Sequence, residues 1–267
     1  MTMKPTTQDP TQPGEPALSF VIPTLDEAGN IRTLLDRLSG AVNGTPIEVI
    51  FVDDSSDATP DEVRSAGTRP EMHVVLVHRR TPDRWGGLGG AVVDGLRVAR
   101  APVVCVMDAD LQHPPETVPV LLERARQSGA DVVVASRYGR GGGSRSGLYR
   151  RTVSRLSTAL AKVVVGGVVR EVSDPLSGFF VVRPGAVSVD ELRPTGFKIL
   201  LEILVRSPGV CVDEVGYEFG ERYAERSKAS IREAVSYLTH LAVLRRGRVL
   251  ARPDATRPER TTAPREL

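Results

Sequence analysis

At 267 residues, 40% hydrophobic and 25% charged, the chain has enough apolar content for a sizeable core and reads as one large globular domain with short appendages. A formal charge of +2 excludes a generic nucleic-acid binder, so no nucleic-acid partner is expected. Two cysteines exclude a disulfide framework; Cys105 and Cys211 both lie in apolar runs, which predicts buried, reduced thiols in a cytosolic protein.

Residues 1–16 are polar and proline-rich without an apolar signal segment, and are expected to be a disordered tail. Strands follow at LSFVI (18–22), EVIFV (48–52), HVVLV (73–77), VVCVM (103–107) and DVVVA (131–135), with helices fitting 27–40, 59–66, 88–99, 115–128 and 150–166. Near-continuous apolar strands alternating with helices predict an α/β fold whose mostly parallel sheet is covered on both faces. From Val172 the rhythm becomes mixed, and residues 253–267 again lack periodicity. No run of 18 apolar residues occurs, so no spanning helix is expected.

Ligands of such sheets sit at the carboxyl ends of the strands. There the sequence places Asp26 after the first strand, Asp53 and Asp54 after the second, and Asp108 and Asp110 after the fourth. One such aspartate is an ordinary helix cap; three acidic exits together point to a shared site. The first strand is not followed by Gly-x-Gly-x-x-Gly, and the glycine-dense 85–90 segment does not complete that spacing, so phosphates are not held by a glycine cradle. Asp108 and Asp110, two apart on an extended backbone, would point the same way and suit a hard cation such as Mg²⁺ or Mn²⁺. Gln112 adds a carbonyl oxygen or orients a metal-bound water. His113, beside Pro114 and Pro115, reads as structural.

The blocks VIPTLDEAGNI (21–31), EVIFVDDSSDAT (48–59), GGLGGAVVDGL (86–96), VMDADLQHPPE (106–116), ASRYGRGGG (135–143), VSDPLSGFFVVRP (172–184), GFKILLEIL (196–204) and FGERYAERSKAS (219–230) together resemble the family 2 glycosyltransferases. Within that family they are most similar to the dolichol- or polyprenol-phosphate mannosyltransferases. The resemblance covers roughly residues 18–230. It implies a GT-A fold over 17–230, inversion at the sugar C1, GDP-mannose as donor, a divalent metal, and a membrane-borne polyprenyl phosphate as acceptor. Carried over by motif, Pro23, Leu25 and Glu27 line the nucleoside pocket, with Asp54, flanked by Val52 and Asp53, at the base or ribose and Ala109 touching the nucleotide through its backbone. Asp108, Asp110 and Gln112 hold the metal, Arg137 faces the phosphates, and Arg222 and Lys228 close on the donor. Leu25-Asp26 stand where the family often has Tyr-Asn, and Glu225 where Gly is usual.

A phosphomonoester acceptor has a second pKa near ~6 and needs little general-base help. It needs positive charge instead. Residues 137–155 hold six arginines and no carboxylate; Arg137 and Arg151 are the leading phosphate contacts, with Ser154 an added donor. Residues 231–252 place Ile231, Ala234, Val235, Leu238, Leu241 and Ala242 on one stripe that Leu244 can extend, followed by Arg245, Arg246 and Arg248. That stripe fits an interfacial helix on an anionic membrane and fits packing on the protein's own core equally well. The expected location is therefore peripheral, on the cytoplasmic face of a membrane, or dependent on an integral-membrane partner protein. Other readings stay open: UDP-glucose as donor to undecaprenyl phosphate, a non-catalytic sugar-nucleotide-binding regulator, and a nucleotidyltransferase.

Overall fold

A computed structural model describes residues 15–80, 84–139, 141–144, 148–195, 198–220 and 237–245, without the side chains of 144 and 148–151. The first half alternates β1 (Leu18–Thr24), α1 (Ile31–Ala41), β2 (Ile47–Asp53), α2 (Thr59–Ala66), β3 (Met72–His78), α3 (Gly87–Val98) and β4 (Val104–Val106). Then come α4 (Val118–Ser128), β5 (Val132–Ser136), β6 (Gly143–Ser144), α5 (Leu148–Val165), α6 (Val168–Glu171), β7 (Phe180–Val182), α7 (Ile199–Arg206), β8 (Val212–Gly216) and β9 (Glu218–Phe219). A last helix, α8, covers 237–245.

The main sheet runs β3-β2-β1-β4-β7-β5-β8. Every neighbouring pair is parallel except those of β7, which lies antiparallel between β4 and β5. The order reverses between β1 and β4, and such a switch point opens a crevice at the carboxyl edge. Because successive strand residues face opposite ways, Phe20, Ile22 and Phe51 enter the core under α1 and α4, while Val21, Ile50 and Val52 enter the core under α3 and α7. In α1 the buried residues Ile31, Leu34, Leu35 and Leu38 follow helical spacing. Helix α3 lies so close to the sheet that a Cβ on Gly95 would stand 2.3 Å from Val21 Cγ1.

Two expectations are corrected. Cys105 is buried, but Cys211, just before β8, is exposed; both are free thiols. The stripe expected along 231–252 is partly rotated where it is described: its members Leu241 and Leu244 are buried together, but Leu238 and Ala242 face outward and Tyr237 and His240 are buried instead. Polar partners explain the rotation. The Tyr237 hydroxyl donates to the Ser157 carbonyl at 2.7 Å, and His240 Nε2 lies 2.7 Å from Glu202 Oε2. His240 counts as polar in a hydrophobicity pattern, yet it faces the core beside Tyr237. The exposed apolar stripe instead belongs to α5, where Val153, Leu156, Leu160 and Val163 recur at helical spacing on the outside. No described helix is long and apolar enough to cross a membrane.

Candidate active site

Strands β2, β1 and β4 are neighbours, so the three acidic exits share one edge. Asp53 is wholly buried: Oδ1 accepts from the hydroxyls of Thr24 (2.8 Å) and Ser55 (2.5 Å), and Oδ2 lies 2.6 Å from His78 Nδ1. It ties three strand ends together and offers nothing to a ligand. Asp54 faces the edge. Arg79, the first residue after β3, donates to both Asp54 oxygens at 2.9 and 2.6 Å, to Asp94 at 3.2 Å, and to the carbonyls of Trp85 and Gly87. The loop after β1 is locked by Asp26, whose left-handed backbone (φ 56°) lets its N–H donate to Ser55 Oγ and its carboxylate accept from Ser56 N–H. Leu25 is largely exposed and Glu27 accepts from Asn30 Nδ2. Val52 is wholly buried in the core, whereas Pro23 borders the cleft described below.

Strand β4 stops at Val106, and the chain turns back at Leu111 (φ 62°). The two aspartates therefore do not share one continuing strand face. Asp108 is half-buried, whereas Asp110 is buried and accepts the Gln112 N–H at 3.1 Å. His113 supports this turn from beneath, its Nδ1 accepting the Asp108 N–H at 3.0 Å, which fixes a neutral ring with the proton on Nε2. Burial pushes the His113 pKa down to about 4. The ring stacks on Phe179 at 5.1 Å and meets Tyr217 and Phe219 edge-on, so its structural reading holds. Gln112 binds Gly220 through both backbone and side chain, its Nε2 donating to the Gly220 carbonyl at 3.2 Å. Arg222 and Lys228, expected to follow, lie outside the described residues, as does the side chain of Arg151.

Across the edge, Arg137 leaves β5 and pairs with Asp174: Nε to Oδ2 is 2.7 Å and Nη2 to Oδ1 is 3.0 Å. Asp174 arrives in the turn before β7, whose reversed direction brings its start to the same edge as the ends of β4 and β5. The pair raises the Arg137 pKa despite the opposing effect of burial. Glu214 braces the same turn by accepting from the N–H and hydroxyl of Ser173. Tyr138 links the arginine to α5, its hydroxyl donating to Ser154 Oγ at 2.8 Å and its ring lying 5.5 Å from the Arg137 guanidinium carbon and 5.9 Å from that of Arg155.

Between β1, β4, α3 and α7 a small cleft opens against Asp108, with Lys198 on its wall. Gly178 leaves room there, since a Cβ would stand 3.4 Å from Asp108 Oδ2. Sequence reasoning passed over Arg79, Asp174 and Lys198. Arg79 carried a readable signal, a charged residue straight after an apolar strand; Asp174 and Lys198 had none, because their approach depends on β7 reversing direction. Among the described residues no group of three or more His, Cys, Asp or Glu side chains is placed to hold a metal ion. Two carboxylate positions suit a hard cation that completes its shell with water and phosphate oxygens.

Comparison with known proteins fits this geometry. The family model for glycosyl transferase family 2 matches residues 19–182. A dolichol-phosphate mannosyltransferase of Pyrococcus furiosus is 37% identical over 226 residues, covering 84% of this chain and 62% of that protein, so the chain spans less than two thirds of that relative. One of Saccharomyces cerevisiae is 34% identical, covering 85% of this chain and 86% of its own. In fold, a glucosyl-3-phosphoglycerate synthase of Mycobacterium tuberculosis, crystallised with Mn²⁺, UDP-glucose and phosphoglyceric acid, superposes with a TM-score of 0.62 at 20% identity, covering 90% of this chain and 82% of that one. The α/β architecture is thus the GT-A fold, and the chain belongs to the family 2 glycosyltransferases.

Proposed function

We propose that the chain transfers mannose from GDP-mannose to a polyprenyl phosphate, with inversion at the sugar C1. The observation that carries this reading is the pairing, on one sheet edge, of the Asp108/Asp110 turn with an Arg137 held rigid by buried Asp174. An acceptor phosphate oxygen attacks C1, the bond from C1 to the diphosphate oxygen breaks, and the nucleoside diphosphate leaves. The acceptor is already largely anionic at neutral pH, so proton removal is not the hard step. The hard step is bringing two anions together. Arg137 directs part of its five-donor guanidinium at Asp174, and this fixes the orientation of the donors that remain for phosphate. Asp108 and Asp110 would hold Mg²⁺ or Mn²⁺, which when bound offsets charge on the diphosphate.

The acceptor class has broader support than the donor. Relatives at 34–37% identity are named for dolichol phosphate, and one of 37% identity over half the chain is named for undecaprenyl phosphate with a different sugar. The exposed Val153, Leu156, Leu160 and Val163 on α5, with Arg155 and Lys162 in the same helix, suit an anionic membrane surface. On this reading α5, rather than the C-terminal helix, takes the interfacial role.

The test is transfer of radiolabelled sugar from GDP-mannose, and in parallel from UDP-glucose, to a short polyprenyl phosphate with Mg²⁺, Mn²⁺ or EDTA. Mannolipid from GDP-mannose, abolished by EDTA and by Asp110→Ala, is expected. Glucolipid from UDP-glucose alone would replace the donor, and full activity in EDTA would remove the metal from the reading.

A further inference from the structure

The glycine-dense segment 85–90 wraps a side chain of the protein itself. Arg79 is buried, and all five of its guanidinium N–H groups are taken: Nε donates to Asp54, Nη1 to Asp94 and the Trp85 carbonyl, and Nη2 to Asp54 and the Gly87 carbonyl. Its backbone is fixed as well, the N–H donating to the Asp53 carbonyl at 2.8 Å and the carbonyl accepting from Arg84 Nε at 3.1 Å. A Cβ on Gly90 would collide with the Trp85 carbonyl and stand 3.1 Å from Arg79 Nη1, so a glycine there lets the loop close on the guanidinium. Loops that bind phosphate turn N–H groups toward the anion. This one turns two carbonyls inward, onto a cation.

We propose that Arg79 is a positioning residue for the transfer reaction: it touches no substrate and sets the orientation in which Asp54 meets the nucleoside of the donor. The proposal rests on the donor reading above. With its five donors committed, Arg79 has none left for a phosphate, although it is an arginine at the ligand edge. Asp54 receives one of these bonds on each oxygen, and a carboxylate oxygen accommodates a second, so the fork fixes the carboxylate plane without closing it to hydroxyl donors. The other three bonds run to α3 and its entry loop, which ties that plane to the segment that puts Leu88 on the cleft wall. A lysine has three donors on one nitrogen and no planar fork, so it cannot hold both Asp54 oxygens and the three other acceptors together.

Steady-state kinetics on the full chain, with GDP-mannose and a short polyprenyl phosphate, test this in a double-variant cycle of Arg79→Lys and Asp54→Asn. Arg79→Lys is expected to raise the donor KM about tenfold, with kcat within about twofold and the acceptor KM unchanged, a split that a loss of folded protein would not produce. Adding Asp54→Asn should raise the donor KM by no more than about twofold further, because Asp54 is already misaligned. Multiplied effects, about a hundredfold in the double variant, would show that Arg79 does not act through Asp54 and overturn the proposal, as would a fall in kcat at native donor KM. Asp94→Asn loosens Arg79 from α3 but keeps the Asp54 pair, and it carries the same test if Arg79→Lys does not fold. It is expected to raise the donor KM about threefold, and a rise that persists in the Asp54→Asn background, or no rise at all, overturns the proposal. If the native chain uses UDP-glucose, the donor reading fails by itself, and the cycle run with UDP-glucose decides the role of Arg79.

Discussion

Two bidentate arginine–aspartate pairs flank the Asp108 turn, and they are buried in opposite senses. In Arg79–Asp54 the arginine is 4% exposed and the carboxylate 15%. In Arg137–Asp174 the arginine is 19% exposed and the carboxylate 0%. The chemistry of each pair is the same, so the buried partner decides which charge is offered at the edge. Beside β1 and β2, where the nucleoside is expected, the edge offers an oxygen acceptor suited to hydroxyls. Beside β5, where phosphates are expected, it offers guanidinium donors.

The strongest way to break this comparison is to remove the outward partner of the second pair. Arg137→Met strands Asp174, a carboxylate with no exposure, and is expected to cost about 3–5 kcal/mol of stability in urea unfolding. Turnover should fall by about 10²–10³. Adding Asp174→Leu should restore much of the stability, because no buried charge is then left unpaired, but none of the activity. Recovery of turnover in the double variant would show that Arg137 serves the fold alone.

The matching change in the first pair is smaller. Asp54→Asn leaves Arg79 bonded to Asp94 and to the Trp85 and Gly87 carbonyls, so the expected loss of stability is only about 1 kcal/mol. Its functional effect should be on the donor, with the donor KM raised about tenfold and the acceptor KM unchanged. An acceptor effect instead would place Asp54 away from the nucleoside and dissolve the assignment of the two sides.

The asymmetry was only half legible in the sequence. The strands and the acidic exits could be read, because apolar runs ending in Asp26, Asp54 and Asp108 are local signals. Helix positions matched closely for the same reason; 59–66 coincides with α2. What could not be read was pairing across the sheet. Arg137 stood out as a phosphate ligand, yet its partner Asp174 is 37 residues away, delivered by a strand only three residues long that runs against its neighbours. The same blindness misplaced the amphipathic faces. His240 is polar by composition, but Glu202 holds it in the core while the Ser157 carbonyl holds Tyr237 there, which turns Leu238 outward.

The opposite edge of the sheet provides the smallest expected effect on activity and a control for the whole comparison. Glu48, at the start of β2, is 1% exposed and has both oxygens occupied: Oε1 accepts from Ser19 Oγ at 2.5 Å and from Arg100 N–H at 2.6 Å, and Oε2 from Arg100 Nε at 3.0 Å. Burial alone would raise its pKa, but the Ser19 and Arg100 hydrogen bonds outweigh it and hold the carboxyl below the ordinary carboxylate range. A group whose folded pKa is depressed contributes stability above its unfolded pKa of about 4.3, and loses that contribution as pH falls through the folded value. Glu48→Gln should therefore cost about 1–2 kcal/mol at pH 7, and urea midpoints should show the gap to the native chain narrowing as pH drops below about 4. Transfer activity at pH 7 should stay unchanged. Here the buried carboxylate has both oxygens committed to the fold, so a buried, ion-paired carboxylate by itself does not mark a site. A gap independent of pH would mean that the side chain contributes packing rather than charge, and a loss of turnover would mean that the two edges of the sheet are coupled.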